Sequence, residues 1–307
     1  MLRIGVIGVG RVGKEHCRIL SSLPEVKLTA VVDLDSKKSR EIADSCRTQS
    51  FTDYQEIYDK VDAVIIATTT TSHFGIARNF LSRAVHTFVE KPICTSGEQA
   101  EELVKIAERK KVILQVGHLE RYNPAVIEAQ KYIRNPKFIE AQRLGPFESR
   151  MANVGVVLDL MIHDLDIVLN LNQAKITHID AIGTSVFTSY EDIAKARIWF
   201  ENGCLADFTA SRITFGQSRK IRIFQPDAYI SLDYVRQRLK IYRKKKEKVS
   251  SLKDIKILKP RLKKVQPLEE ELKDFIDCVR SRRSPRVGGQ HARDVLEVAL
   301  EIVRKIK

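Results

Sequence analysis

The chain lacks the marks of a secreted or membrane protein. No apolar run among its 307 residues approaches the roughly 20 needed to span a bilayer. The opening "MLRIGVIGVG" enters a β-like run at once, without the apolar region and small-residue cleavage site of a signal peptide. Cysteine is scarce: Cys17, Cys46, Cys94, Cys204 and Cys278 are odd in number, scattered and without C-x-x-C spacing. That argues against a disulfide framework or a zinc site and sets the expectation of reduced thiols, a cytoplasmic protein and no bound metal. Internal repeats are missing as well. Net charge is nearly absent from most of the chain. The formal total is +14, but residues 236–264 hold 14 Lys and Arg against Glu247 and Asp254, a net of +12, which leaves +2 for the other 278 residues. That segment has Tyr242 as its only aromatic and no helix-turn-helix pattern, so specific base reading is not expected. A solvated hairpin or loop is the plain reading. Attraction to an anionic substrate, a membrane surface or an acidic partner is the alternative.

What is present is the patterning of a two-domain α/β protein, with 43% hydrophobic and 30% charged residues. Nearly continuous apolar runs at 3–8, 26–33, 62–68, 85–90 and 112–117 alternate with helical stretches such as "VGKEHCRILSSL" and "GEQAEELVKIAERKK". Strands that apolar are buried on both faces, so residues 1–118 predict a Rossmann-like, doubly wound parallel sheet. From 119 to 307 the rhythm changes. A helix after Pro124 and the strand "FIEAQRLG" lead to a series of β-like runs from Ile176 to Lys244. These predict a second α/β domain with a large, mostly antiparallel open sheet. Two final helices follow, the last free to pack back on the first domain.

Gly8-Val9-Gly10-Arg11-Val12-Gly13 is a full G-x-G-x-x-G placed directly after a strand and opening a helix. Gly8 permits the tight turn, Gly10 lets a pyrophosphate approach the backbone, and Gly13 allows close helix–strand packing. The N–H groups at the helix start favour the anion. Asp33, at the end of the second strand, stands where a carboxylate accepts hydrogen bonds from an adenosine ribose. It would repel a 2′-phosphate, so NAD is expected over NADP, with Lys37 and Lys38 near enough to soften the preference. A glycine turn with a surface aspartate is the plainer alternative.

The segment "VVLDLMIHDLDIVLNL", residues 156–171, is mostly apolar yet carries Asp159, His163, Asp164, Asp166 and Asn170. On an ideal wheel Asp159, His163, Asp166 and Asn170 share a stripe roughly 60° wide. A half-exposed helix with solvated aspartates, or a satisfied core histidine, would account for single members. A stripe lining a cleft accounts for the whole pattern, because buried carboxylates and imidazoles need partners. Asp159 and His163, four apart, can hydrogen-bond, as a general acid/base requires. Glu90 and Lys91 precede Pro92 at the end of the fifth strand, where open α/β sheets bind ligands. A solvated Lys-Pro turn is the alternative there.

"GVGRVG", "TTTTSHF", "VEKP" and "DLMIHD", in this order, resemble the glucose-fructose oxidoreductase/inositol dehydrogenase/rhizopine-catabolism (Gfo/Idh/MocA) family over essentially the whole chain. The resemblance implies an NAD(P)-dependent dehydrogenase acting on a CH–OH group, with Lys91, Asp159 and His163 catalytic. It implies cofactor contacts at Gly8, Gly10, Arg11, Val12, Gly13, Asp33, Leu34, Thr68, Thr69, His73, Glu90 and Lys91. Thr69 departs from the family's usual proline, which leaves the local backbone open. "VGHLERYNPAV" together with the 156–169 segment is similar to the branch that oxidises C3 of UDP-N-acetylglucosamine to a ketone. An aminotransferase then aminates that ketone towards lipid A. Arg121, Tyr122 and Asn123 would join Lys91, Asp159 and His163 at the substrate. Asn123 also reads as an N-cap before Pro124. A UDP-sugar substrate and a homodimer or homotetramer built on the second sheet follow from the resemblance. The alternatives are a dehydrogenase of a free polyol or sugar, and a non-catalytic NAD-binding regulator.

Overall fold

A computed structural model describes residues 1–148 and 152–306 and divides the chain into two units, Met1–Leu119 with Pro267–Leu296 and Glu120–Gln266 with Glu297–Lys307. In the first unit the elements are β1 (Leu2–Ile7), α1 (Arg11–Ser22), β2 (Val26–Val32), α2 (Ser36–Cys46), β3 (Gln49–Phe51), β4 (Ala63–Ile66), α3 (Thr70–Ser82), β5 (His86–Glu90), α4 (Gly97–Lys110) and β6 (Leu114–Gly117). All six strands pair in parallel, in the order β3-β2-β1-β4-β5-β6. Every residue of β4 is fully buried, and only a sheet covered by helices on both faces accommodates such a run. This is the doubly wound sheet that the alternation predicts.

Two of these elements are additions to the sequence reading. α2 buries only Ser39, Ile42 and Ala43, so its apolar periodicity is faint; Asp35 starts it by accepting the N–H groups of Lys37 and Lys38. β3 has three residues and pairs only with β2. Further along the chain, α7 (Pro267–Ser281) returns to this unit and joins its core through Leu272, Phe275, Ile276 and Val279. Phe275 meets Phe88 of β5 edge to face at 5.7 Å, an arrangement that contributes about 0.5–1.5 kcal/mol beyond area burial.

The second unit is built on an eight-stranded sheet. Its strands are β7 (Phe138–Leu144), β8 (Ile176–Thr184), β9 (Ile193–Phe200), β10 (Leu205–Ser211), β11 (Ser218–Gln225), β12 (Ala228–Asp233), β13 (Arg238–Lys244) and β14 (Ile255–Leu258), in the order β14-β13-β12-β11-β7-β10-β9-β8. All pairings are antiparallel except β7 with β10. The strands alternate: Ile139, Ala141, Ile221, Ile223, Ile230 and Ile241 are buried on one face. α5 (Pro124–Ala129) and α6 (Ile162–Leu171) pack on the sheet. The other face carries ion pairs such as Arg222–Glu140 and Arg197–Asp207. It also carries a ladder of stacked rings, Phe138, Phe224, Tyr229 and Tyr242, with centroids 4.9–5.7 Å apart. The last helix, α8 (Gly289–Ile306), contributes residues to both units. All five cysteines are free thiols. Among the described residues no helix is long and apolar enough to cross a membrane.

Candidate active site

The glycine loop leaves β1 with Gly8 at φ +86°, where a Cβ would lie 2.8 Å from the Ala67 backbone. A Cβ on Gly13 would sit 1.9 Å from the Gly8 carbonyl oxygen, so α1 can approach β1 only with glycine there. Gly10 differs from both, because nothing lies within 4 Å of its Cβ position. That space stands at the start of α1, which has no side-chain cap and no acidic residue in its first turn, as a cradle for a pyrophosphate requires. The loop borders a cleft of about 670 Å³ lined by Gly8, Gly10, Asp33, Leu34, Thr68, Thr69 and apolar neighbours from β1, β2 and α3. Arg11 is exposed, and Val12 and Leu34 are apolar side chains 37% and 94% exposed.

Asp33 serves the loop as well as the cleft. Its Oδ2 accepts the Val9 N–H at 2.8 Å and its Oδ1 the Asp35 N–H at 3.0 Å. A carboxylate has about four acceptor positions, so two remain for a ribose. Thr69, in place of the family's proline, has φ −71° and ψ 145° and caps α3. This φ is the one that proline would impose, and the ψ is open to proline as well, so the departure leaves the backbone path intact.

Beneath the Lys91 turn the structure is braced. His16 of α1, fully buried, meets Glu90 at 2.7 Å (Nε2 to Oε1). His73, 1% exposed, directs Nδ1 to the Pro92 carbonyl at 2.8 Å and Nε2 to the Thr68 carbonyl at 3.1 Å. Burial pushes its imidazole below the usual range, although both carbonyls favour the protonated ring. The ring thus sits between the end of β4 and the turn that carries Lys91, with a carbonyl oxygen at each nitrogen. The Lys91–Pro92 peptide is cis, and Lys91 is half-buried.

In the second unit the polar segment divides into distinct jobs. Asp159 lies in a π-helical turn, Val157–Met161, and α6 begins at Ile162. The ideal-wheel angle therefore does not carry unchanged from Asp159 to Asp166. Such wide turns concentrate at functional sites. Asp159 is 9% exposed and His163 half-buried. Further along, Asp166 and Asn170 grip Arg121, at 3.3 Å to Nη1 and 2.6 Å to Nη2. Asp164, outside the stripe, pairs with Arg143 of β7 through both of its oxygens, at 3.2 and 3.0 Å. Glu120 joins the same guanidinium at 3.2 Å. Burial works against the charge on Arg143, but these two carboxylates more than offset it and hold the proton on. Burial raises the Asp164 carboxyl, with Arg143 opposing.

Asn123 is the N-cap of α5: Oδ1 accepts the Ala125 N–H at 3.1 Å, while Nδ2 donates to Glu120 and to the Tyr234 carbonyl. Tyr122 is 3% exposed. The structure thus brings Glu120, Arg121, Asn123 and the polar face of α6 together in one unit and places Lys91 in the other. Sequence reading missed Glu120, Arg143, Tyr234 and Arg219. Arg143 and Arg219 are on adjacent strands in direct register, a signal visible only once the strands are paired. Arg219 is half-buried, and its pKa is lowered first by burial and then by Arg143; Glu120, Asp164 and Asp159 oppose this.

A parallel sheet in this order, with an open cradle at Gly10 and an acidic end to β2, defines a dinucleotide-binding domain of the Rossmann type. Residues 2–118 match the NAD-binding Rossmann fold of the GFO/IDH/MocA oxidoreductase family, and residues 131–231 match its C-terminal domain. The chain belongs to that family, and NAD is its cofactor. UDP-N-acetylglucosamine 3-dehydrogenase of Acidithiobacillus ferrooxidans is 33% identical over 306 residues, covering 98% of this chain and 96% of that protein. A solved structure of that enzyme matches with a TM-score of 0.92 at 32% identity, covering 99% of this chain and 97% of the other. The scyllo-inositol 2-dehydrogenase of Bacillus subtilis is 28% identical over 320 residues, covering 97% and 92%. The chain is therefore an enzyme of the oxidoreductase class.

Proposed function

We propose that the protein oxidises a secondary hydroxyl of a nucleotide sugar, and that this hydroxyl is on C3 of UDP-N-acetylglucosamine. The observation that carries the reading is the Arg143–Arg219 pair. Asp164 and Glu120 pair directly with Arg143, whereas the Arg219 pKa is lowered first by burial and then by Arg143, with Glu120, Asp164 and Asp159 opposing. A diphosphate would accept charge-assisted hydrogen bonds from Arg219, which a free polyol cannot match. The Acidithiobacillus relative, similar over nearly the whole chain, is named for the same substrate.

NAD supplies a hydride acceptor when bound. In this reading Lys91, Asp159 and His163 are the residues that act on the substrate hydroxyl. His163 takes its proton, and Asp159 orients the imidazole and stabilises the imidazolium. Lys91 donates a hydrogen bond to the reacting oxygen and stabilises alkoxide character. Arg121, held by Asp166 and Asn170, faces the sugar nucleotide. The 3-keto product passes to a pyridoxal-phosphate aminotransferase, giving a diamino sugar of the lipid A type. The charged, ring-laddered face of the second sheet joins subunits into a dimer or tetramer, a state that light scattering measures.

The deciding experiment is NADH formation with a panel of UDP-sugars, with an aminotransferase and glutamate present to remove ketone. Calorimetry with UDP, inositol and glucose runs alongside. Turnover of UDP-N-acetylglucosamine together with UDP binding is expected. Efficient oxidation of inositol without UDP binding would replace this reading by the polyol one, which the Bacillus relative favours.

A further inference from the structure

The densest charge in the chain lies away from the polar face of α6. β13 runs opposite to β7, so the 245–254 connection between β13 and β14 leaves the sheet at the edge where β7 starts. The turn carrying Asp159 is tied at Val156 and Val157 to Glu191, just ahead of β9, at the edge where β7 ends. The connection has a definite internal structure. The Asp254 carboxylate accepts the N–H groups of Ser250 and Ser251 at 3.0 and 3.1 Å and the Ser250 hydroxyl at 3.0 Å. Lys246 pairs with it at 2.9 Å, and that contact, ahead of the serine hydrogen bonds, holds its carboxyl down at about 2. Lys245 caps the turn by donating to the Lys253 carbonyl at 2.7 Å.

In this pinned conformation Leu252 is 86% exposed and Val249 44% exposed. Around them Lys245, Lys248, Lys253 and Lys256 are exposed. A loop that spends Asp254 on internal hydrogen bonds keeps Glu247 as its one exposed carboxylate and presents two aliphatic tips among several exposed ammonium groups. A cationic patch with apolar tips matches the interface of an anionic bilayer: the ammonium groups lie at phosphate level and the aliphatic tips reach the outer hydrocarbon. Nucleic acid matches it poorly. Bases are held by stacking on free aromatic rings, and the single tyrosine of the segment, Tyr242, is already stacked on Tyr229.

We propose that the 245–254 hairpin tip docks the protein peripherally on anionic lipid, with Leu252 and Val249 inserted and the surrounding lysines on the headgroups. The test is co-sedimentation of the full chain with phosphatidylcholine vesicles, with and without phosphatidylglycerol. Binding confined to the anionic vesicles and weakening with salt is expected. Lys248→Gln and Lys253→Gln should each lower the partition about five-fold, the equivalent of about 1 kcal/mol per cation. Leu252→Asp should lower it further while leaving thermal unfolding and NAD binding unchanged. In Leu252→Trp, indole emission should shift to the blue on anionic vesicles alone. No retention on anionic vesicles overturns the proposal, as does undiminished retention of Leu252→Asp. Duplex DNA binding that is as strong as vesicle binding and indifferent to Leu252→Asp assigns the loop to nucleic acid instead.

Discussion

The Asp33 carboxylate accepts the Val9 N–H at 2.8 Å, so the side chain read as a ribose ligand also holds the backbone of the glycine loop. Replacing it therefore has two consequences. Asp33→Ala should raise the KM for NAD about ten-fold or more, the loss of charge-assisted hydrogen bonds of about 1.5–3 kcal/mol. It should also narrow the preference for NAD over NADP, because the repulsion of a 2′-phosphate goes with it. Initial rates with both cofactors measure this; an unchanged ratio would mean that Asp33 only braces the loop.

Lys91→Ala and His163→Ala should each lower kcat by about 10²–10⁴-fold, the usual worth of positioned acid–base groups. If His163 accepts the proton, its removal also abolishes the acidic limb of the kcat/KM profile, while Lys91→Ala keeps that limb. The reverse pattern would transfer the proton to Lys91. Near-normal turnover in both variants would remove the two residues from the mechanism.

Arg219→Ala should raise the KM for a UDP-sugar by roughly ten- to hundred-fold and abolish inhibition by UDP, with little change in NAD affinity. Equal inhibition of variant and parent by UDP would leave the diphosphate without its proposed partner.

Arg143 is a stability prediction. Arg143→Met leaves Asp164 and Glu120 buried without their shared cation and should cost about 3–5 kcal/mol in urea unfolding. Adding Asp164→Asn and Glu120→Gln should recover a large part of that loss, because the uncompensated charges are then gone.

Asp192 sets an acid-side dependence. Burial works against its carboxylate, but the N–H groups of Phe187, Val186 and Thr188 at 2.6–3.0 Å and Arg212 at 2.7 Å draw its pKa well below the ordinary value of 3.8. The folded state therefore resists protonation more than the unfolded chain does. Its contribution is complete above 3.8 and is lost as pH falls from there through the folded pKa. Asp192→Asn should be less stable at neutral pH and show a flatter decline on acidification. Parallel slopes for variant and parent in urea titrations at stepped pH would contradict this.

Both sheets could be read from the chain because the signals were local. Apolar runs such as Ala63–Ile66 call for burial on two faces, and the alternation in β9 to β13 calls for burial on one. The glycine loop was equally legible, since each glycine answers a steric demand within a few residues. Elements held by few apolar contacts, α2, β3 and the edge strand β14, left no comparable trace. The polar segment at 156–171 was legible as anomalous but not in its division of labour. A wheel cannot show that Asp166 and Asn170 hold Arg121 while Asp164 holds Arg143, nor that the helix widens at Asp159.

By itself the sequence determined the secondary structure that burial dictates, the dinucleotide loop and the residue types available for chemistry. The tertiary structure decided which charges meet. Arg143 and Arg219 are 76 positions apart in sequence and adjacent in register; strand pairing across that separation, through hydrogen bonds blind to side-chain identity, sets which charges a guanidinium meets.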